Sequence, residues 1–119
     1  MPKSFQMAKK YEVWIADLDP RFGSEAGKKR PVIVVQNDLL NGKLNSTMIC
    51  PITTNVISGV SILRIHLPKG TAGLNQDCDI LVSQVRAIDN RRFIQRLGQL
   101  PANLCVSLDD NLKIVLDLS

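Results

Sequence analysis

Short runs of β-branched and other apolar residues recur along this chain. Each is closed off by glycine, proline or asparagine, and helical spacing begins only beyond Pro101. Apolar residues at a period of two fit half-buried strands. Tyr11 to Leu18 places Tyr11, Val13 and Ile15 on one side. Pro31 to Gln36 is a nearly continuous apolar run, with its proline first, where no ladder donor is needed. Thr47 to Ile52 predicts a third strand, interrupted by Pro51. In Ser61 to Leu67, Leu63, Ile65 and Leu67 oppose Arg64 and His66. Cys78 to Ile88 is long for one strand, so a bend or bulge is expected near Ser83. Phe93 to Leu100 gives a last strand. Pro101 then opens a helix on which Leu104, Leu108, Leu112 and Val115 recur at helical spacing. Many short strands followed by one helix predict a mainly β fold: a compact antiparallel barrel or curled sheet with the helix packed on it.

A chain of 119 residues, 45% hydrophobic and 22% charged, makes one domain with a real core. It is expected over residues 11–119, behind a flexible basic tail at residues 1–10 carrying Lys3, Lys9 and Lys10. No apolar run is long enough to cross a membrane, and the tail does not read as a signal peptide, so the cytoplasm is the expected compartment. Cys50, Cys78 and Cys105 are odd in number and far apart, and His66 is the one histidine. That set predicts buried reduced thiols rather than zinc, and neither metal nor cofactor is expected. The net charge of +4 is modest and suits an anionic partner without requiring one. It gathers in two blocks, Lys28-Lys29-Arg30 and the set Arg86, Arg91, Arg92 and Arg96.

Three stretches carry a resemblance. They are Val13 to Pro20 (VWIADLDP), Gly23 to Asn37 (GSEAGKKRPVIVVQN) and Ser83 to Asp89 (SQVRAID), with Cys50-Pro51-Ile52-Thr53-Thr54 between them. The pattern G-x-E-x-G-x-x-R-P-x-x-V in the second is specific, and its order relative to the other pieces makes it more so. From Tyr11 to the final helix the chain resembles the MazF/PemK toxins. The resemblance implies a small SH3-like antiparallel barrel with a C-terminal helix, usually as a homodimer. It implies the toxin of a type II toxin–antitoxin pair, cutting single-stranded RNA by sequence to leave a 2′,3′-cyclic phosphate and a 5′-hydroxyl. It also implies a cognate antitoxin whose acidic, disordered tail wraps the toxin.

RNA is cut when its own 2′-hydroxyl attacks the adjacent phosphate. A catalyst must take the hydroxyl proton, stabilise charge on phosphorus and protonate the leaving 5′-oxygen. Arg30 is the first candidate, because it stands where a loop enters a buried strand and its guanidinium forks onto phosphate oxygens. The family gives this arginine an acid/base role. Charge stabilisation and proton donation suit it better than acting as a base, since it loses its proton only above about pH 12. Thr53 is the second candidate, a hydroxyl for a phosphate oxygen. Glu25 either orients Arg30 or serves as base, or else fixes its loop by accepting backbone N–H groups. Many family members carry an acid just before the glutamine of the third stretch, where this chain has Ser83, which shifts weight to Glu25.

Lys28, Lys29 and Arg86 are candidate phosphate contacts. Gln84 either holds the loop or touches RNA. With one Trp, one Tyr and three Phe, stacking partners for bases are few, and Phe22 is the best placed. Trp14 reads as core. His66 is a candidate base, as in other ribonucleases, but it has no partner in the motif and reads better as a polar outer-face residue on an edge strand. Two other classes compete on the same barrel, a gyrase-poisoning toxin and a plain RNA-binding module. The Arg30 and Thr53 pair favours the enzyme, and cutting of RNA in chelator separates it from both.

Overall fold

The computed structural model describes residues 7–59 and 62–119. Seven strands precede one helix: β1 Glu12–Asp17, β2 Lys29–Val34, β3 Ser46–Thr53, β4 Arg64–Leu67, β5 Cys78–Leu81, β6 Arg86–Asp89, β7 Phe93–Gln99 and α1 Ala102–Leu116. Their order is β4-β5-β3-β2-β1-β7, with β6 also on β3, and every pairing is antiparallel. A mainly β sheet with one C-terminal helix is the fold class the sequence predicts. The closed barrel is not formed: among the described residues β4 and β7, at the two ends of the order, do not pair. Ser61, expected within the fourth strand, lies outside the described residues, and β4 begins only at Arg64.

Both faces of the central strands are covered. Val13, Ile33, Cys50, Ile52, Ile80 and Leu108 belong to one buried cluster, which Leu104, Leu112 and Val115 of α1 cap. Trp14, Ala16, Val32, Val34, Ile49 and Ile88 form a second cluster on the opposite face, with Phe93 against it. Trp14 meets Phe93 edge-on at 5.6 Å, a contact worth roughly 1 kcal/mol beyond area burial. Two covered faces explain why Pro31 to Val35 is a continuous apolar run and not an alternation.

The segment from Cys78 to Ile88 does bend near Ser83, as a one-turn 3-10 helix at Val82–Gln84. The turn lets two strands share one neighbour: β6 pairs with Ser46–Ile49 of β3, and β5 pairs with Ile52 and Thr53. Ala8 is buried, Lys9 N–H donates to Glu12, and Lys10 N–H donates to Asp38, so packing begins before Tyr11. Lys3 lies outside the described residues.

Candidate functional site

The register of the sheet aligns polar side chains from neighbouring strands. Val32 pairs with Pro51, and that register carried two residues further brings Arg30 toward Thr53. Thr53 pairs with Asp79 of β5, and Asp79 pairs with His66 of β4. Directly opposed residues of antiparallel strands share a face. Thr53, Asp79 and His66 therefore lie in line across β3, β5 and β4, and Arg30 stands on β2 two residues beyond the last β2–β3 pair. Arg30 Nε donates to the Gly27 carbonyl at 2.7 Å, and its two Nη groups have no protein partner among the described residues. Thr53 Oγ1 accepts the Asn55 N–H at 3.1 Å, which leaves the hydroxyl proton free to donate.

The β1–β2 loop holds the basic rim beside this row. Leu18 N–H bonds Lys28 O at 2.9 Å and closes the loop at its base. Asp19 accepts the Lys28 N–H at 2.6 Å, and Lys28 takes a positive φ of 67° there. Glu25 accepts the Phe22 N–H at 3.2 Å, and among the described residues no ion pair joins it to Arg30. Gln84 accepts the Ala26 N–H at 2.9 Å and donates to Ser24 O at 3.3 Å, tying the 3-10 turn to the loop. Lys28 and Lys29 are exposed, and Phe22, 74% exposed, stands at the loop tip with its ring free.

The second basic block is largely engaged within the protein. Arg96 pairs with Glu12 at 2.8 Å, Arg91 pairs with Asp89, and Arg92 donates to the carbonyls of Asp17 and Asp19. Arg86 is half-buried, and its Nη1 is enclosed without a partner. The cationic surface beside the row is therefore carried by Lys28, Lys29 and Arg30, with the exposed Arg21 in the same loop.

Asp79 is the residue that sequence reasoning missed. It is 2% exposed, and its carboxylate accepts from His66 Nδ1 at 3.0 Å, Arg64 Nη1 at 2.8 Å and the Ile57 N–H at 3.3 Å. Burial opposes its charge, but the hydrogen bonds from His66 and Arg64 outweigh it and hold the carboxyl below the usual aspartate range. The signal was present: Arg64 and His66 alternate on one strand, and Asp79 is the polar interruption of an apolar strand next to it. Cys50 and Cys78 are buried and Cys105 half-buried, all as free thiols. Burial pushes the Cys50 thiol up to about 12, which makes it inert. Among the described residues no three His, Cys, Asp or Glu side chains gather as a metal site, and no helix is long and apolar enough to cross a membrane.

The fold is that of a small toxin domain. It matches MazF from Deinococcus radiodurans with a TM-score of 0.82 at 22% identity, covering 96% of this chain and 100% of that one. It also matches a mycobacterial endoribonuclease solved in complex with its cognate antitoxin, with a TM-score of 0.73 at 13% identity, over 94% of this chain and 95% of the other. In sequence it is 36% identical over 117 residues to endoribonuclease MazF9 of Mycobacterium tuberculosis (strain ATCC 25618 / H37Rv), covering 94% of this chain and 98% of the relative. Residues 9–116 match the PemK-like, MazF-like toxins of type II toxin–antitoxin systems, and the chain belongs to that family.

Proposed function

We propose that this chain is the toxin of a type II toxin–antitoxin pair and an endoribonuclease that cuts single-stranded RNA at chosen sequences. The observation that supports this reading is the β2–β3 register, which, extended two residues past the Val32–Pro51 pair, brings Arg30 toward Thr53, beside the exposed Lys28 and Lys29. In this reading the RNA backbone lies along the basic rim, and the scissile phosphate sits over the Arg30–Thr53 pair. The free Nη groups of Arg30 and the Thr53 hydroxyl donate to its oxygens as charge builds on phosphorus. The 2′-hydroxyl of the RNA attacks, and the products are a 2′,3′-cyclic phosphate and a 5′-hydroxyl.

In this reading Arg30 also protonates the leaving 5′-oxygen. Phe22 offers a stacking face for a base next to the cut. Glu25 and Gln84 act by holding the loop that presents these groups, which their backbone contacts support. Arg86 remains a candidate phosphate contact. No metal or cofactor takes part in this scheme. The working form is a homodimer in the cytoplasm, capped by an antitoxin when the toxin is silent. The exposed apolar residues Val106, Ile114 and Leu118 at the C-terminal end suit such association.

Digestion of RNA in excess EDTA tests the reading. Discrete fragments with cyclic phosphate ends are expected. An oligonucleotide carrying a single 2′-deoxy sugar at the cut position should survive, because the internal nucleophile is gone. Cutting that stops in EDTA and returns with magnesium, or cutting of the deoxy substrate, would sink this mechanism.

A further inference from the structure

The row that begins at Thr53 ends at an aspartate–histidine pair. Asp79 is closed in and holds three donors, so its position is fixed. An ionised carboxylate only accepts hydrogen bonds, so His66 Nδ1 at 3.0 Å must carry the proton. In the neutral ring this leaves a lone pair on Nε2, which has no protein partner among the described residues. The imidazole is half exposed, with 49% of its side chain open to solvent, while its orientation is set from beneath.

The charged groups facing the ring are Asp79 from β5 and Arg64 from its own strand. The Asn55–Ile57 loop contributes a carbonyl to Arg64 and an N–H to Asp79, and Thr53 of β3 is uncharged. Arg64 donates to both Asp79 and Asn55 O, so its charge is absorbed in the cluster.

The Glu25 carboxylate turns back to the Phe22 N–H, and position 83 is a serine. Arg30 and His66 stand on strands three places apart in the sheet order, about 14 Å where the ladders hold, the β2–β3 ladder ending two residues short of Arg30. Their side chains reach roughly 7 and 4.5 Å from Cα by ordinary bond lengths, enough to flank one phosphodiester without meeting.

We propose that His66, oriented by Asp79, is the general base of RNA cleavage; this rests on the endoribonuclease reading above. The 2′-O–H bond breaks, and its proton passes to His66 Nε2. The 2′-oxygen bonds to phosphorus as the bond from phosphorus to the 5′-oxygen breaks. That oxygen takes a proton from Arg30, which is reprotonated by water, and the imidazolium returns its proton to solvent. A guanidinium acid and an imidazole base then do opposite work on one phosphodiester.

Single-turnover cleavage measured against pH tests this in the wild type, His66→Gln and His66→Ala. The wild-type rate should carry an acidic limb that both variants lack, and each variant should lose on the order of a hundredfold in rate. Affinity for an uncleavable 2′-deoxy oligonucleotide should stay unchanged. Added imidazole should restore part of the rate to His66→Ala and none to His66→Gln, an outcome that a purely structural role would not give. Variants that cut at the wild-type rate with the wild-type pH profile would overturn the proposal while leaving the endoribonuclease reading intact. A loss of oligonucleotide affinity that accounts for the whole loss of rate would also overturn it, making His66 a binding residue. A wild-type chain that leaves RNA whole would overturn the endoribonuclease reading, and this role with it.

Discussion

Arg30 reaches back three residues to the Gly27 carbonyl, with Nε to oxygen at 2.7 Å. One nitrogen of the fork thereby fixes the side chain, and the two free nitrogens keep their full capacity for an anion. A guanidinium held in place before substrate arrives gives up less entropy on binding than a loose one.

Replacing Arg30 by Ala should lower RNA cleavage by on the order of a hundredfold to a thousandfold, the cost of losing one transition-state donor. The melting temperature should barely move, because the side chain is only half-buried and belongs to neither apolar cluster. Arg30→Lys should recover little, since an ammonium cannot bond Gly27 and fork onto phosphate together. Thr53→Ala should impair cutting as well. Digestion rates and thermal melts on the three variants check this. Near-normal cutting by Arg30→Ala would remove the residue from the site.

Gly27 should be nearly as sensitive for a different reason. A Cβ there would sit 2.8 Å from both Arg21 Cβ and Asp19 Oδ1. The same Asp19 oxygen holds the Lys28 N–H, so a methyl at residue 27 displaces the contact that shapes the rim and the carbonyl that anchors Arg30. Gly27→Ala is expected to cut RNA on the order of tenfold to a hundredfold more slowly, a misplacement effect. Its melting temperature should fall by only a few degrees. A variant that cuts at the wild-type rate would show that Gly27 does not set the geometry of Arg30.

The helix is tied to the sheet by one polar contact that can be watched directly. Tyr11, the single tyrosine, donates from Oη to Asp109 Oδ1 at 3.0 Å and Oδ2 at 2.8 Å. Burial first, and then the Asp109 carboxylate, push the Tyr11 hydroxyl up to about 12. Tyrosinate absorbance should therefore rise near pH 12 in the folded protein and near pH 10 in denaturant. The folded pKa lies above the unfolded one. The contribution to stability is thus complete below about pH 10 and is lost as pH rises through the folded value. Asp109→Asn should lower the folded midpoint without returning it fully, because burial remains. Tyr11→Phe should cost about 2 kcal/mol in urea unfolding at neutral pH. A native midpoint equal to the denatured one would mean that the contact does not hold in solution.

The parts of this molecule legible in its sequence are those governed by local periodicity. The strands at Glu12–Asp17 and Lys29–Val34 and the helix after Pro101 follow from side-chain spacing and from where proline is tolerated. The split of Cys78–Ile88 into two strands was legible only as a bend, because no glycine or proline marks the turn at Val82–Gln84. It follows instead from β3 being shared, a long-range condition. The packing of Ala8 was not legible either. Met7 to Lys10 has no apolar run, and its place is fixed by backbone bonds to Glu12 and Asp38. Arg30 and Thr53 were singled out through a motif. The Asp79–His66 pair is marked only by a polar residue interrupting an apolar strand, and the pairing itself was not legible, because no motif covers it and its partners lie 13 residues apart. The second arginine block looked like one basic surface, yet Arg92 and Arg96 serve backbone carbonyls and Glu12.

The last prediction concerns how a partner would silence the proposed site. A free RNA-cutting toxin would destroy its own cell's messages, so it needs a cap over the surface that holds RNA. In the proposed reading that surface is the cationic rim of Lys28, Lys29 and Arg30 together with the exposed Phe22 of the same loop. An acidic peptide segment imitates the charge of the polyanion. If disordered while free, it can cover a broad surface by ordering as it binds. An apolar side chain of that segment could lie on Phe22 where a base would otherwise stack. The antitoxin tail and RNA should therefore exclude one another. Both complexes should weaken with salt, the tail less steeply, because apolar contact is not screened. Lys28→Ala and Lys29→Ala should weaken both ligands, whereas Arg30→Ala should reduce cutting far more than it reduces tail binding. A titration of an uncleavable deoxy-substituted oligonucleotide against the tail peptide decides between overlap and separation. A ternary complex at saturation would show that the inhibitor acts elsewhere on the toxin. Full displacement of the oligonucleotide would tie inhibition to the same rim that presents Arg30.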